Sequence, residues 1–172
     1  MSVSRDFTNM FGETVTPQEL QVTKNGIGAT MAYYDSMGNL AINKDYFNAQ
    51  TMDRAYDGTV QSGFHPSRGN KSGLEAVAAH EMGHRIADIA TQRIANASSF
   101  TTDKVEQSIV KNAAKAIQAR GALGVANQIS RYAKTNYSEC IAEAVADVYC
   151  NGSKASKAST AVYNELKKAL GR

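Results

Sequence analysis

The order of apolar and polar positions predicts a chain that is mostly helical. Residues 74–97, LEAVAAHEMGHRIADIATQRIANA, contain no proline, and their Ala, Gly and aliphatic side chains cover most of the helix circumference. Ser72 and Glu75 have the spacing of a capping box, in which each side chain bonds a free backbone amide of the other residue. The pattern therefore predicts a central, largely buried helix that begins just after Ser72.

Three shorter helices are predicted after the central one, over residues 103–120, 137–150 and 157–170. Gly121 suits the left-handed conformation that follows a helix C-terminus, and the Asn-Gly pair ending at Gly152 provides a second stop of this kind.

Strand-like segments lie upstream of the central helix. Residues 29–34 and 40–42 suit β-strands, and the intervening sequence DSMGN is typical of a turn, so a β-hairpin is expected. Short helices are predicted over residues 17–22 and 46–56. Together these elements predict an α+β fold class, a helix-rich domain with a small β-sheet or hairpin before the central helix.

Length and composition fit one globular unit. The chain has 172 residues, of which 42% are hydrophobic and 20% charged. That is enough for one domain with its own core and too little for two. We therefore expect a single domain over residues 1–172.

Charge and hydropathy exclude several classes of partner. The formal net charge is +3, with no run of five or six basic residues, so no nucleic-acid partner is predicted. No stretch approaches the roughly 18 apolar residues that span a bilayer, and the N-terminus lacks the features of a signal peptide. These features predict no membrane partner and a cytoplasmic or virion-associated location.

The two cysteines, Cys140 and Cys150, fall in one predicted helix. Their separation along the helix is about 15 Å, which is too long for a disulfide. We expect both to be buried free thiols.

The chemistry of the chain is concentrated in the central helix, where residues 80–84 form an HExxH motif. Its two histidines, His80 and His84, lie about 40° apart on one helix face, so both rings can reach one metal ion. Glu81 lies about 100° from His80 and suits a general base acting on a zinc-bound water. Two unpaired imidazoles on a helix rich in Ala and aliphatic residues would otherwise be costly to bury.

A catalytic zinc needs a third protein ligand. The extended metzincin motif is excluded because alanine stands at positions 87 and 90, where that motif has glycine and histidine. The remaining histidine, His65, lies in a GFHP loop and suits a structural or substrate-facing role.

An acidic stripe offers the third ligand. Glu139, Glu143 and Asp147 recur every four residues on one face of a predicted helix. Aligned carboxylates repel one another, so a facing cation and histidines would stabilise them. One acid would bind the metal and the next would accept a free imidazole N–H.

The spacing alone does not choose between Glu139 and Glu143 as the ligand. In an alternative interpretation, Asn136 caps this helix and Glu139 is only its capping-box partner, with the remaining acids on a solvated face.

Two segments resemble the catalytic domain of anthrax toxin lethal factor and its relatives, which include the Pro-Pro endopeptidases and zincin domains of phage head or minor capsid proteins. The segments are HEMGHRIAD, residues 80–88, and YAKTNYSECIAEA, residues 132–144. That family carries an HExGH helix with an acid four residues beyond its second histidine, then a tyrosine, a Thr-Asn pair, the ligand glutamate and an Ala-Glu-Ala segment. The resemblance implies a zincin-like fold of the gluzincin type.

Individual roles follow from the resemblance. It implies His80, His84 and Glu139 as ligands of Zn²⁺, Glu81 as the base and Tyr132 as a hydrogen-bond donor to the transition state.

The resemblance also implies supporting roles for two further acids. Glu143 would support a ligand from behind the metal, and Asp88 would match a family acid that orients a helix. The hairpin segment looks more like the phage-associated domains than the toxin, and in zincins the edge strand of such a sheet pairs with an extended substrate. Residues 29–34 or 40–43 could serve as that strand.

The function predicted is that of a zinc metallopeptidase, an endopeptidase in which Glu81 activates a zinc-bound water to cut a protein or peptide substrate. The alternative is a phage virion or assembly component, bound to phage structural proteins, whose zinc site is not catalytic. A fourth ligand such as Asp88 or Glu143 would indicate that alternative, because catalytic zinc keeps a position open. A toxin-like effector protease would share the mechanism and differ only in its target.

Overall fold

The computed structural model describes residues 2–98 and 101–172. These residues form seven α-helices, three short 3₁₀ turns and a three-stranded sheet. The predicted helix-rich α+β fold class is therefore confirmed. No helix in the described part of the chain is long and apolar enough to cross a membrane.

Helix α1, Ser2–Phe11, was not predicted from the sequence. Val3, Phe7 and Phe11 recur every four residues and are buried, so one face of α1 packs into the core. The ring of Phe7 lies 5.7 Å from that of Tyr149, near the other end of the chain. The apolar face of α1 thus packs against a residue that is distant in sequence.

Strands β1, Leu20–Val22, β2, Ala32–Tyr34, and β3, Leu40–Ile42, form one sheet in the order β1-β3-β2. Strand β3 pairs antiparallel with β2, which confirms the predicted hairpin, and parallel with β1. The helix predicted over residues 17–22 was wrong. This segment pairs with β3 instead, because the ladder satisfies its backbone groups.

The helix predicted over residues 46–56 begins and ends later in the structure. A 3₁₀ turn, Lys44–Tyr46, comes first, and helix α2 then spans Ala49–Gln61. The side chain of Asn48 accepts a hydrogen bond from the amide of Thr51 at 3.2 Å. This cap sets the start of α2.

The central helix α3 spans Gly73–Ala97, and its predicted capping box is present. The Glu75 amide donates to the Ser72 hydroxyl at 3.2 Å, and the Ser72 amide donates to the Glu75 carboxylate at 2.9 Å. Helix α3 packs against helix α6, Tyr137–Asn151, with Gly83 facing Ala142 at the crossing.

Helix α4, Thr102–Ala116, ends four residues before the predicted end at Arg120. Gln118 adopts a left-handed conformation with φ of 56°. Its amide donates to Lys115, and the amide of Ala119 donates to Ala114 at 2.9 Å. These are the bonds of a Schellman motif with glutamine in the usual place of glycine.

Gly121 therefore does not end α4 but opens a helix that was not predicted, α5, Gly121–Ala126. The last helix, α7, spans Lys157–Ala169. Both α6 and α7 lie within one residue of their predicted bounds. Cys140 is buried and Cys150 is half-buried, and both are free thiols as expected.

Candidate metal centre

The crossing of α3 and α6 brings three possible metal ligands together. Nε2 of His80 and Nε2 of His84 each lie 3.2 Å from Oε2 of Glu139. Ligands about 2.0–2.1 Å from a tetrahedral zinc ion are spaced roughly 3.3 Å apart. Within the described residues, these side chains form the group of His, Cys, Asp and Glu whose ligand atoms converge closely enough to hold a metal ion.

One atom of this group is left without a hydrogen bond. In the described part of the chain, Oε2 of Glu139 is buried and has no hydrogen-bond partner. Its two contacts with imidazole nitrogens lack hydrogen-bond geometry. A buried carboxylate oxygen is costly unless it is compensated, and a cation between these three atoms would compensate it.

Glu143 lies one turn further along α6 and supports His80 from behind. Its Oε1 lies 2.7 Å from Nδ1 of His80 and 2.9 Å from Nδ1 of His65, and its Oε2 accepts from the Ser130 hydroxyl at 2.7 Å. An Nδ1–H that donates to Glu143 leaves Nε2 of His80 free to bind a metal. Three segments of the chain, which carry His65, His80 and Ser130, therefore meet at this carboxylate. Glu143 is only 1% exposed.

His65 is held in place by contacts with Glu143 and Tyr56. Its ring stacks on Tyr56 with a centroid distance of 5.5 Å and an interplanar angle of 9°. The Tyr56 hydroxyl in turn donates to the carbonyl of Pro66 at 3.2 Å. The loop that carries His65 is thereby fixed behind the site, and His65 is not part of the possible ligand group.

Tyr132 projects over the site from the segment between α5 and α6. Its backbone amide donates to the carbonyl of Phe64 at 3.1 Å, and the two rings stack with a centroid distance of 4.9 Å. The Tyr132 hydroxyl donates to Oε1 of Glu139 at 3.1 Å. The phenol therefore lies beside the possible metal position.

Glu81 lines the same cleft as the ligand group and is hydrogen bonded to strand β2. The amide of Tyr34 donates to its Oε2 at 3.2 Å. Tyr33 is paired with Ala41 of β3, so the amide of Tyr34 points to the free edge of the sheet. This edge of β2 therefore holds the carboxylate that the sequence analysis assigned as the base.

His84 is supported differently from His80. Its Nδ1 lies 2.9 Å from the hydroxyl of Ser138. Asp88, which was predicted to support the site, lines the adjoining cleft together with His84. Ser138, to which the sequence analysis gave no role, is therefore the residue that contacts Nδ1 of His84.

Burial and pairing shift the pKa values of the acids and imidazoles. Burial alone lowers the pKa of His80, but its contacts with Glu139 and Glu143 raise it to about 10. Burial would raise the pKa of Glu143, but the imidazoles of His65 and His80 lower it to about 2. In the metal-free site, these pKa shifts reflect attraction between the carboxylates and the protonated imidazoles.

The pKa of Glu139 falls well below its ordinary value, because His80 and His84 outweigh the opposing effect of burial. Burial raises the pKa of Glu81, which makes it a stronger base than a solvated glutamate. Burial and the Glu139 carboxylate raise the pKa of Tyr132 to about 12, so the phenol keeps its proton at neutral pH.

Two clefts meet at the site. A polar cleft of about 720 Å³ includes the β2–β3 turn, Arg85 and Asp88. A second cleft of about 380 Å³ is lined more by apolar and aromatic side chains, among them Met31, Tyr56 and Val77. The clefts share five residues, Thr30, Ala32, His80, Glu81 and Tyr132. An extended chain lying through both would pass the possible metal position.

Sequence reasoning missed the support around the ligands. Nothing in the spacing of Ser130, Ser138 or His65 indicates a shared site, because these residues meet only after the chain folds. The acidic stripe was a usable signal for Glu139 and Glu143. Its third member, Asp147, accepts hydrogen bonds from the Asn151 side chain at 2.8 Å and the Ser156 amide at 3.0 Å.

The alternative interpretation of this helix is therefore only partly correct. Asn136 does cap α6, accepting from the amide of Glu139 at 2.7 Å. The Glu139 carboxylate, however, turns toward the histidines and Tyr132. Glu143 and Asp147 are buried, not solvated.

Comparisons with protein-family models, with curated proteins and with solved structures find no match to this chain. Its chemistry must therefore be inferred from the site itself.

Proposed function

We propose that this chain is a zinc-dependent endopeptidase that hydrolyses peptide bonds in a protein or peptide substrate. The observation that carries the proposal is the convergence of His80, His84 and Glu139, with Oε2 of Glu139 3.2 Å from each Nε2. A His₂Glu donor set suits zinc and leaves a fourth position for water or substrate. When bound, the ion would polarise the scissile carbonyl and acidify the attacking water.

The protein groups around this position divide the remaining work. Glu81, oriented by the Tyr34 amide, takes the proton of the attacking water and later delivers it to the leaving amine. The Tyr132 hydroxyl donates a hydrogen bond to the developing oxyanion. Glu143 accepts a hydrogen bond from the Nδ1–H of His80, so that Nε2 stays available as a ligand.

The free edge of β2 supports a peptide as the substrate. It runs beside Glu81 and lies between the two clefts, where an extended peptide could pair with the strand backbone. The resemblance to lethal-factor-type and phage-associated zincins is consistent with this assignment. It adds a phage structural protein as a possible substrate.

The structural alternative, a closed zinc site in a virion component, has less support. It requires a fourth ligand from Asp88 or Glu143. In the described residues, neither belongs to the convergent ligand group. The oxygens of Glu143 are already used by His65, His80 and Ser130.

The test is cleavage of a proteome-derived peptide library by zinc-loaded protein, with new termini identified by mass spectrometry. Glu81→Gln is expected to retain one zinc per chain and to lose about 10²–10⁴-fold in rate. If the zinc-loaded parent produces no new termini, the proposed activity is wrong. If the variant cuts as fast as the parent, Glu81 is not the base.

A further inference from the structure

Arg85 directly follows the second histidine of the motif and lines the polar cleft beside the possible metal position. Its side chain is exposed. Because Arg85 comes four residues after Glu81, the two side chains lie on one face of α3, about 40° apart. At a rise of about 1.5 Å per residue, Arg85 lies about 6 Å further along the helix axis than the proposed base.

The guanidinium of Arg85 forms neither a hydrogen bond nor an ion pair with any described residue. A glutamate four residues before an arginine often forms such a pair. Glu81, however, accepts from the amide of Tyr34 at 3.2 Å. The carboxylate of Asp35, which lines the same cleft, accepts three hydrogen bonds within its own turn. Two carboxylates of this cleft are therefore bonded elsewhere.

Asp88 also lines the cleft, three residues beyond Arg85 on α3. The two side chains form no ion pair within residues 2–98. Arg93, about two turns beyond Arg85, gives the contrast, because its guanidinium bonds both oxygens of Glu13 at 2.8 Å. The N–H donors of Arg85 therefore remain available to a ligand that enters the cleft.

The chemistry of the guanidinium indicates what that ligand would be. Its planar fork of N–H donors fits the two oxygens of a carboxylate. An extended peptide advances about 3.3 Å per residue. For a peptide that follows α3 through the cleft, a distance of about 6 Å corresponds to about two residues. A carboxylate about two or three residues from the scissile bond would therefore reach Arg85.

We propose that Arg85 is a specificity-determining residue that binds a carboxylate of the substrate on the polar side of the scissile bond. This inference rests on the proposed function, because it places a peptide along the metal site. The carboxylate belongs either to an aspartate or glutamate side chain or to the C-terminus of the peptide. Both sources offer the same two oxygens to the guanidinium.

The first test measures binding and does not depend on cleavage. Zinc-loaded Glu81→Gln selects from a library of random decapeptides with blocked ends, and the bound peptides are sequenced by mass spectrometry. Aspartate and glutamate should be enriched about 3–10-fold over asparagine and glutamine at one position. A second library lacks both acidic residues and is used with free or amidated C-termini. A preference for its free form would assign the carboxylate to the chain end.

The same selection on Arg85 variants of this protein tests the assignment. Arg85→Ala should abolish the preference for a carboxylate. Arg85→Lys should retain part of the preference, because lysine keeps the charge but not the planar fork. Arg85→Glu should select lysine and arginine at that position, because it reverses the charge of the cleft wall.

Arg54→Ala is the matched control for loss of an exposed arginine. Arg54 is exposed on α2, forms no ion pair with a described residue and lines neither of the two clefts at the site. Its variant should select the same peptides as the unmodified background. Asp88→Asn should strengthen the preference for a carboxylate, because it removes an acid that competes with the substrate for Arg85.

Cleavage provides a second readout. Two peptides cut by the zinc-loaded parent are compared, identical except for aspartate or asparagine at the selected position, or for a free or amidated C-terminus. The peptide with the carboxylate should have a kcat/KM about 3–10-fold higher. Arg85→Ala should remove this difference mainly by raising KM, because a contact away from the scissile bond is made equally in the bound substrate and in the transition state.

The outcomes separate this inference from the proposed function. A parent that cuts peptides without preferring a carboxylate, or whose preference survives in Arg85→Ala, contradicts the role of Arg85 and leaves the peptidase intact. Enrichment of basic side chains that is lost in Asp88→Asn would assign the cleft to Asp88 instead. An Arg85-dependent preference in binding, with no cleavage by the parent, would support recognition and contradict the peptidase. Neither selection nor cleavage would contradict both.

Discussion

A Cβ atom on Gly83 would lie 3.0 Å from the Cα of Ala142. Backbone atoms of α3 and α6 are thus close enough that only hydrogen fits between them without a shift. Gly83 lies between the two histidines of the motif, and Ala142 lies between Glu139 and Glu143. This close approach allows short acidic side chains on one helix to reach imidazoles on the other.

Substitution of Gly83 should therefore affect both stability and metal binding. Gly83→Ala gains helix propensity of up to about 1 kcal/mol, but overpacking at a helix crossing typically costs about 1–3 kcal/mol. We expect net destabilisation and weaker zinc binding as the helices move apart. Urea unfolding and zinc competition measure the two effects.

Gly58, in the interior of α2, provides the matched control. A Cβ there meets nothing within 4 Å. Gly58→Ala should therefore stabilise the protein by about 0.5–1 kcal/mol and leave zinc affinity unchanged. If Gly83→Ala is as stabilising as Gly58→Ala, the crossing is not as tight as described.

How much of this was predictable depends on the range of the interactions concerned. Local signals predicted the start of α3, where the Ser72 and Glu75 capping box is complete within four residues. The HExxH spacing and the acidic stripe likewise depend only on helix periodicity. Helix α1 has no such signal, because its apolar face is completed by Tyr149.

The support of the site could not be predicted for the same reason. Glu143 meets His65 across 78 residues of sequence and His80 across 63. Glu139 and Glu143 have the same helical spacing in the acidic stripe, so the sequence alone could not decide which one is the ligand. Only the position of α6 against α3 distinguishes the two acids. Glu139 faces Nε2 of both His80 and His84, whereas Glu143 faces Nδ1 of His80.

Glu143→Gln should weaken zinc binding without changing a ligand. The amide keeps the shape of the side chain but loses the charge that supports the Nδ1–H of His80. We expect about 10–100-fold lower zinc affinity by chelator competition. Equal affinity in the variant would show that the Glu143 charge does not tune the site.

Asp147→Asn controls for loss of a buried acid from the same stripe. Asp147 bonds the Asn151 side chain and the Ser156 amide, away from the histidines. Its loss should cost about 1–3 kcal/mol of stability and leave zinc affinity unchanged. A comparable loss of zinc affinity in both variants would indicate general loosening of α6.

The stability of the metal-free protein should depend on pH through Glu143 and its partner His80. The folded pKa of Glu143 is lowered to about 2, so its contribution is complete above its ordinary pKa and is lost as pH falls toward 2. The folded pKa of His80 is raised to about 10, so its contribution is complete below its ordinary pKa and is lost as pH rises toward 10. We expect the metal-free protein to be most stable between these limits, near pH 5–6.

Urea unfolding of chelator-treated protein across pH measures this dependence. The two shifts share the contact between His80 and Glu143, so their contributions to stability are not additive. The loss on acidification attributable to Glu143 should be on the order of 3 kcal/mol at most. Glu143→Gln should remove it, and an acid limb identical in the variant would contradict the assignment.

Tyr132→Phe should lower the catalytic rate while leaving the structure intact. The ring stacks on Phe64 at 4.9 Å, and phenylalanine preserves that packing. The hydroxyl is the part proposed to stabilise the oxyanion, and loss of such a donor typically costs about 10²–10³-fold in kcat. Because the hydroxyl acts mainly in the transition state, KM should change little.

Tyr137→Phe separates this role from the loss of any tyrosine hydroxyl near the site. Tyr137 accepts from Gln107 at the start of α6 and lines neither of the two clefts. Its variant should keep the parental kcat, measured on a peptide identified from the library. If Tyr132→Phe also keeps a kcat within about threefold of the parent, the phenol of Tyr132 only packs against Phe64, and oxyanion stabilisation must come from the metal alone.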